Sequence, residues 1–279
     1  MRILITGGKG QLGLALQDQL SDHDLEIVDL PEIDVTDRQV IEGEILRVRP
    51  KLVIHCAAYT DVDGCAENPA LAYQVNALGT QNTALACRAA GADMLHLSTN
   101  EVFEGKRPDG YEEWMKTNPI NAYGRSKTAA EAFVKSIAPR YYIVRTAWLY
   151  APGGRNFIHA ILERAQRVGK LQVVADEIGN PTYATDLAWA IAQLIDLQQY
   201  GMYHFVNEGA CSRWAFANEI LALAGYDDVV NAPILAREYK RASIPPPYGA
   251  LLNKAGAAIG INLRSWQEAL ADFMNSHIL

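Results

Sequence analysis

Basic charge is the first thing this sequence lacks: 279 residues carry 25 Lys and Arg against 32 Asp and Glu, a formal net charge of −7. Binding along a phosphate backbone needs a basic field that displaces counterions, so nucleic acid is not expected as a partner. Cysteine is scarce too. Cys56, Cys65, Cys87 and Cys211 stand far apart, with no Cys-x-x-Cys and no histidine cluster beside them. That spacing indicates neither a zinc site nor a disulfide framework, and reduced, buried thiols with no bound metal are expected. No apolar run approaches the roughly 18 residues of a membrane span. The chain passes from Met-Arg directly into a short apolar stretch, without a charged-then-apolar leader, so a cytoplasmic protein with no membrane partner is expected. Internal repeats, low-complexity tracts and charge runs are missing as well. What remains, 49% hydrophobic and 20% charged residues, is the composition of one enzyme-sized globular body.

The first structured stretch is also the most informative. Arg2-Ile-Leu-Ile-Thr6 fits a buried parallel strand, Gly7-Gly-Lys-Gly-Gln-Leu-Gly13 a loop, and Leu14 to Leu20 a helix. Glycines at Gly7, Gly10 and Gly13 let the backbone turn tightly, approach a pyrophosphate without a Cβ, and pack helix on strand. The helix N-terminus then faces the anion, so this unit predicts dinucleotide binding. Leu25 to Leu30 reads as a second strand with Asp29 at its end, near the spacing expected of a carboxylate on the adenosine ribose. A carboxylate there accepts from a 2′-hydroxyl and repels a 2′-phosphate, which leans towards NADH. Thr36 or Asp37 caps the next helix.

The βα alternation continues. Lys51 to Ala58 reads as a strand ending in small residues, Tyr59 to Gly64 as a loop, and Ala66 to Ala90 as a long helix with Asn76 a polar residue among apolar neighbours. Met94 to Asn100 is a fourth strand, placing Thr99 at the carboxyl edge where ligands of open α/β sheets collect. Tyr141 to Tyr150 is a fifth, bringing Trp148 towards the same crevice. Beyond it the pattern loosens into a helix over 156–168, a strand over 171–175, a helix over 186–197, a closing helix over 266–278, and pieces including Met202 to Val206 that follow no simple repeat. The expected fold is α/β: a Rossmann-type doubly wound parallel sheet with a smaller C-terminal substrate-binding annex. Residues 1–150 form the dinucleotide domain, 151–279 mostly the annex, and the helix near 186–197 packs back onto the sheet.

Between the fourth and fifth strands lies Asn121-Ala-Tyr-Gly-Arg-Ser-Lys127, followed by good helix formers. Tyr123 and Lys127 are four residues apart and share a helix face. A free phenol, with a pKa of about 10, is a poor acid at neutral pH, and a nearby ammonium favours its phenolate. This pair is the candidate proton donor.

Gly7-x-x-Gly10-x-x-Gly13, Thr99 and Tyr123-x-x-x-Lys127 together resemble the extended short-chain dehydrogenase/reductase family, and within it the chain is most similar to the dTDP-4-dehydrorhamnose reductases. Further matching stretches are Ala57 to Asp63, Glu67-Asn-Pro with Ala72 to Ala77, Arg145 to Tyr150 with Asn156-Phe157, and Asp176 to Thr182. The resemblance implies reduction of the C4 ketone of a nucleotide-linked 6-deoxy-4-keto sugar with NADPH or NADH. Its implied catalytic residues are Thr99, Tyr123 and Lys127. Cofactor contacts are implied at Gly7, Gly10, Gln11, Leu12, Gly13, Asp29, Asp34, Val35, Ala57, Ala58, Tyr59, Asn76, Tyr123 and Lys127. Substrate contacts are implied at Thr99, Asn100, Tyr123, Trp148 and Asn156. The implied partner is a sugar nucleotide, and a homodimer is allowed without being required.

Two departures bear on the sugar. The family usually reads Ser-Thr-Asp-Tyr-Val-Phe where this chain has Ser98-Thr-Asn-Glu-Val-Phe103, and its usual Arg-Arg-Pro appears here as Ile244-Pro-Pro-Pro. Alternative readings are a sugar-nucleotide dehydratase or epimerase, and a non-catalytic NADP-binding relative such as the regulatory subunit of methionine adenosyltransferase. A 4,6-dehydratase needs an acid beside the threonine, which Asn100 cannot provide. Intact Thr99, Tyr123 and Lys127 disfavour the binding module.

Overall fold

Ile3, Leu4 and Ile5 have no solvent exposure, and three consecutive buried residues on one strand require cover on both faces of the sheet. The structure, a computed structural model that describes residues 1–153 and 156–278, has that cover. Strands β1 (Arg2–Thr6), β2 (Asp24–Val28), β3 (Leu52–His55), β4 (Asp93–Thr99) and β5 (Tyr141–Thr146) alternate with helices α1 (Gln11–Gln19), α2 (Arg38–Val48), α3 (Gly79–Ala90) and α4 (Ala122–Ile137). Then follow α5 (Phe157–Val168), β6 (Lys170–Val174), α6 (Ala184–Leu197), β7 (Gly201–His204), α7 (Arg213–Leu223), β8 (Val230–Ile234) and α8 (Trp266–His277). The main sheet runs β7-β5-β4-β3-β1-β2 with every pair parallel. Side chains of a strand alternate between faces. Ile3 and Ile5 accordingly meet Leu12, Leu16, Leu187 and Ile191 of α1 and α6, while Leu4 meets Ile41, Ile45 and Ala84 of α2 and α3. This is the expected Rossmann-type doubly wound sheet. Its order reverses at β1, where β2 leaves in one direction and β3 in the other, so the glycine loop opens at the switch point.

Several local expectations change. Met202 to Val206, expected among the annex pieces, begins with residues of β7 and forms the sheet's outer strand beside β5. The strand expected over 141–150 stops at Thr146, because Trp148 has a φ of 44° and turns the chain away before Leu149–Tyr150 pairs with Thr182–Tyr183. The loop expected over 59–64 is already helical from Val62. The single helix expected over 66–90 is divided into Val62–Glu67, Pro69–Ala72, a π-helical segment Tyr73–Leu78, and α3. Asp37 caps α2, accepting from the Gln39 and Val40 amides at 2.9 and 3.2 Å. All four cysteines are free, with Cys65 and Cys87 buried and Cys56 and Cys211 half-buried.

The annex has its own core. Ile158 and Ile161 of α5, Leu171 of β6, Phe216 of α7, and Leu270 and Phe273 of α8 pack together, and β6 pairs in parallel with β8. Among the described residues no helix is long and apolar enough to cross a membrane.

Candidate active site

A cavity of about 1050 Å³ runs from the glycine loop across the carboxyl ends of β1, β3, β4 and β5 to Arg213 at the start of α7. Backbone geometry shapes its glycine-loop end. Gly7 has a φ of +68°, and a Cβ there would lie 2.6 Å from the Ala57 amide nitrogen, while one at Gly13 would come within 2.5 Å of the Gly7 carbonyl oxygen. No side chain fits either position without moving backbone. Gly10 caps α1 without a side-chain acceptor, so the first amides of the helix open onto the cavity unsatisfied by any side chain, an arrangement suited to a pyrophosphate. Asp29 Oδ2 accepts from the Lys9 amide and Oδ1 from the Leu30 amide, both at 2.8 Å.

At the other end, Asn121 Oδ1 accepts from the Gly124 amide at 2.8 Å and starts α4, which presents Tyr123 and Lys127 one turn apart beside Thr99. Lys127 is buried and its Nζ donates to the Leu97 carbonyl at 2.5 Å. Burial pushes its pKa down to about 8, against the opposing charge of Glu131. Burial also raises the Tyr123 phenol, with the Glu101 carboxylate adding to the rise and the Thr99 hydroxyl working against it. The lowering of the Tyr123 pKa expected from Lys127 is not found, since the ammonium is turned to a carbonyl and burial dominates.

Behind these groups Glu131, one turn beyond Lys127, is a fully buried carboxylate. It accepts from Ser98 Oγ at 2.7 Å and from Arg145 Nε and Nη2 at 2.8 and 2.7 Å. Burial is the largest single influence and raises its pKa, but the Arg145 hydrogen bonds and charge, the Ser98 hydrogen bond and the Lys135 charge together outweigh it and hold the pKa low. Because Ser98 lies on β4 and Arg145 on β5, this network fixes α4 against the strand that carries Thr99.

Most of the expected site residues line the one cavity: Gly7, Gly10, Gln11, Leu12, Gly13, Asp29, Asp34, Val35, Ala57, Ala58, Tyr59, Thr99, Asn100, Tyr123, Lys127 and Trp148. Two do not. Asn76 is fully buried, with its amide spent on the Tyr59 backbone at 2.7 and 3.0 Å and on Ser126 Oγ at 3.0 Å. It holds the cavity wall from behind, as a polar residue in a π-turn can. Asn156 caps α5 and donates to the Ala151 carbonyl at 2.8 Å. Asn100 lines the cavity, yet its Nδ2 donates to the Gly249 carbonyl at 3.0 Å.

Sequence reasoning missed Arg213, whose guanidinium stacks on the Trp148 indole at 3.9 Å. Its lone signal was a cation opening a helix. Glu101 was noticed as a departure but not as a lining residue, which it is. Among the described residues no three His, Cys, Asp or Glu side chains gather as a metal site.

The parallel sheet, the glycine cradle at its switch point, and a tyrosine and lysine at the strand ends define the class: a Rossmann-type fold of the NAD(P)-binding enzymes. The model of the RmlD substrate binding domain matches residues 1–278, and the chain belongs to that family. It is 39% identical to the dTDP-4-dehydrorhamnose reductase of Mycobacterium tuberculosis over 97% of this chain and 91% of that one. It is 34% identical to a spore coat polysaccharide biosynthesis protein of Bacillus subtilis over 98% and 96% of the two chains. The crystal structure of dTDP-4-dehydrorhamnose reductase from Bacillus anthracis in complex with NADP superposes with a TM-score of 0.95 at 39% identity, covering 98% of each chain.

Proposed function

We propose that the protein reduces the C4 ketone of dTDP-4-dehydrorhamnose to give dTDP-L-rhamnose, using NADPH and accepting NADH. The observation that carries this reading is that Thr99, Tyr123 and Lys127 share one cavity with the uncapped amides of α1, in a chain of the reductase family. The residues present fit the cofactor. Gly7 and Gly13 keep side chains out of the pyrophosphate cradle, the α1 amides bind it, and Asp29 holds the adenosine ribose. When bound, NADPH supplies the hydride. Tyr123 donates the proton to the ketone oxygen, and Thr99 donates a hydrogen bond to the same atom as charge develops there. Lys127 binds the nicotinamide ribose. The sheet with α1 to α4 and α6 binds the dinucleotide, and the annex closes over the sugar nucleotide.

Mixing the purified protein with NADPH and dTDP-4-dehydrorhamnose and following the absorbance of the reduced nicotinamide tests the reading. Oxidation that depends on the sugar nucleotide and yields dTDP-L-rhamnose is the expected result. NADPH binding without such oxidation would return the protein to the class of binding modules.

A further inference from the structure

The two stretches that depart from the family's usual sequence, Asn100-Glu101 and Ile244-Pro-Pro-Pro247, meet in space. Asn121 Nδ2 donates both to Glu101 Oε2 at 2.6 Å and to the Ile244 carbonyl at 3.1 Å. One residue earlier, Asn100 Nδ2 donates to the Gly249 carbonyl. Gly105 packs under the same prolines: a Cβ there would lie 2.7 Å from Pro246 Cβ and from Pro247 N. The two departures therefore form one wall, joined through the residue that caps the Tyr123 helix.

Glu101 is fixed within that wall. Its amide donates to Thr99 Oγ1 at 3.2 Å, and Gly124, one residue past Tyr123, packs on its carbonyl. One carboxylate oxygen is held by Asn121. The other, Oε1, accepts no hydrogen bond from the described residues and, unlike the sealed Glu113 Oε2, stays open to the cavity. Burial raises the Glu101 pKa, while the Asn121 hydrogen bond and the Arg213 and Arg241 charges favour its carboxylate; as a carboxylate it only accepts hydrogen bonds, so the ligand group that suits it is a neutral donor. A sugar ring offers hydroxyls. Glu101 lines the same cavity as Thr99 and Tyr123 and is tied to Thr99 and to the start of the Tyr123 helix, so the sugar hydroxyl it suits is the one on the carbon next to the reacting ketone.

We propose that Glu101 is a specificity-determining residue that accepts a hydrogen bond from the C3 hydroxyl of the sugar, an inference that rests on the function proposed above. The test is equilibrium binding of dTDP-L-rhamnose and of dTDP alone to the NADP-loaded protein, for wild type and Glu101→Gln. Glutamine keeps an acceptor for Asn121 but loses the charge. The expected result is roughly 10- to 100-fold weaker binding of dTDP-L-rhamnose, the range for a charged hydrogen bond, with dTDP and NADP affinity unchanged. Wild-type protein titrated with an analogue lacking the C3 hydroxyl should lose a similar factor, a measurement that does not depend on the variant folding. Equal loss for dTDP and dTDP-L-rhamnose, or full affinity for the deoxy analogue, overturns the role of Glu101. Failure to oxidise NADPH with the 4-keto sugar, while Glu101-dependent binding of dTDP-L-rhamnose persists, overturns the proposed reduction instead.

Discussion

The Lys9 amide donates to Asp29 Oδ2 at 2.8 Å, so the carboxylate assigned to the adenosine ribose also fastens the glycine loop to the end of β2. Asp29→Asn can accept only one of the two backbone hydrogen bonds now made, and it removes the charge that repels a 2′-phosphate. The KM for NADH is expected to rise about tenfold, in line with losing one hydrogen bond to a charged group, and the KM for NADPH to rise less. Steady-state kinetics with both cofactors checks this; a larger rise for NADPH would remove Asp29 from the ribose.

Tyr123→Phe keeps the ring and deletes the hydroxyl proposed as the proton donor. Turnover is expected to fall by about 10² to 10⁴ while NADPH affinity holds, the span of positioned acid catalysis. Fluorescence titration of the cofactor beside kcat separates the two, and a parallel loss of both would make Tyr123 a cofactor anchor rather than an acid.

Lys127 is charged in the folded protein below a pKa of about 8, lower than its ordinary value of 10.5 because it is buried. Between these values the unfolded chain binds more protons than the folded one, so this group makes stability increase as pH rises through that window. Below pH 8 the buried charge costs its full amount, on the order of 3 kcal/mol. Lys127→Met should therefore melt higher than wild type at pH 7, with the advantage shrinking towards pH 10, even as turnover collapses. Thermal unfolding across that range tests it; a constant difference would assign the effect to packing alone.

Asn100→Asp places a carboxylate oxygen against the Gly249 carbonyl in a buried position, where the amide now donates. A loss of about 1 to 3 kcal/mol is expected, the cost of an unsatisfied buried polar group, read as a lower denaturant midpoint. Unchanged stability with a raised KM for the sugar nucleotide alone would mean that the side chain turns into the cavity.

Much of the nucleotide half was legible because its signals are local. The run Ile3-Leu-Ile5 needs cover on both faces, the glycines need a cradle, and Asp37 needs a helix to cap. The Tyr123 and Lys127 spacing was legible for the same reason, but not their electrostatics, since burial and the Glu101 carboxylate come from residues that sequence proximity does not group. Glu131 and Arg145 are charged residues on a helix and a strand, and nothing in their neighbours marks them as a sealed pair. The π-turn around Asn76 has no periodic signature. Trp148 at positive φ broke a strand that its β-branched and aromatic neighbours favour. β7 was misplaced because the chain leaves the sheet after β5, builds part of the annex, and only then returns.

That detour sets the order in which a newly made chain can finish folding. Until residues 184–204 have emerged from the ribosome, Ile3, Ile5 and Ile54 lack the cover of α6 and β5 is the open border of an incomplete sheet. Such a border is a template for pairing with other chains. Cutting the gene at codon 150, where the dinucleotide half was expected to end, would thus yield a sticky fragment rather than a small nucleotide-binding module, and the residues beyond it are tied to the sheet by the order of biosynthesis.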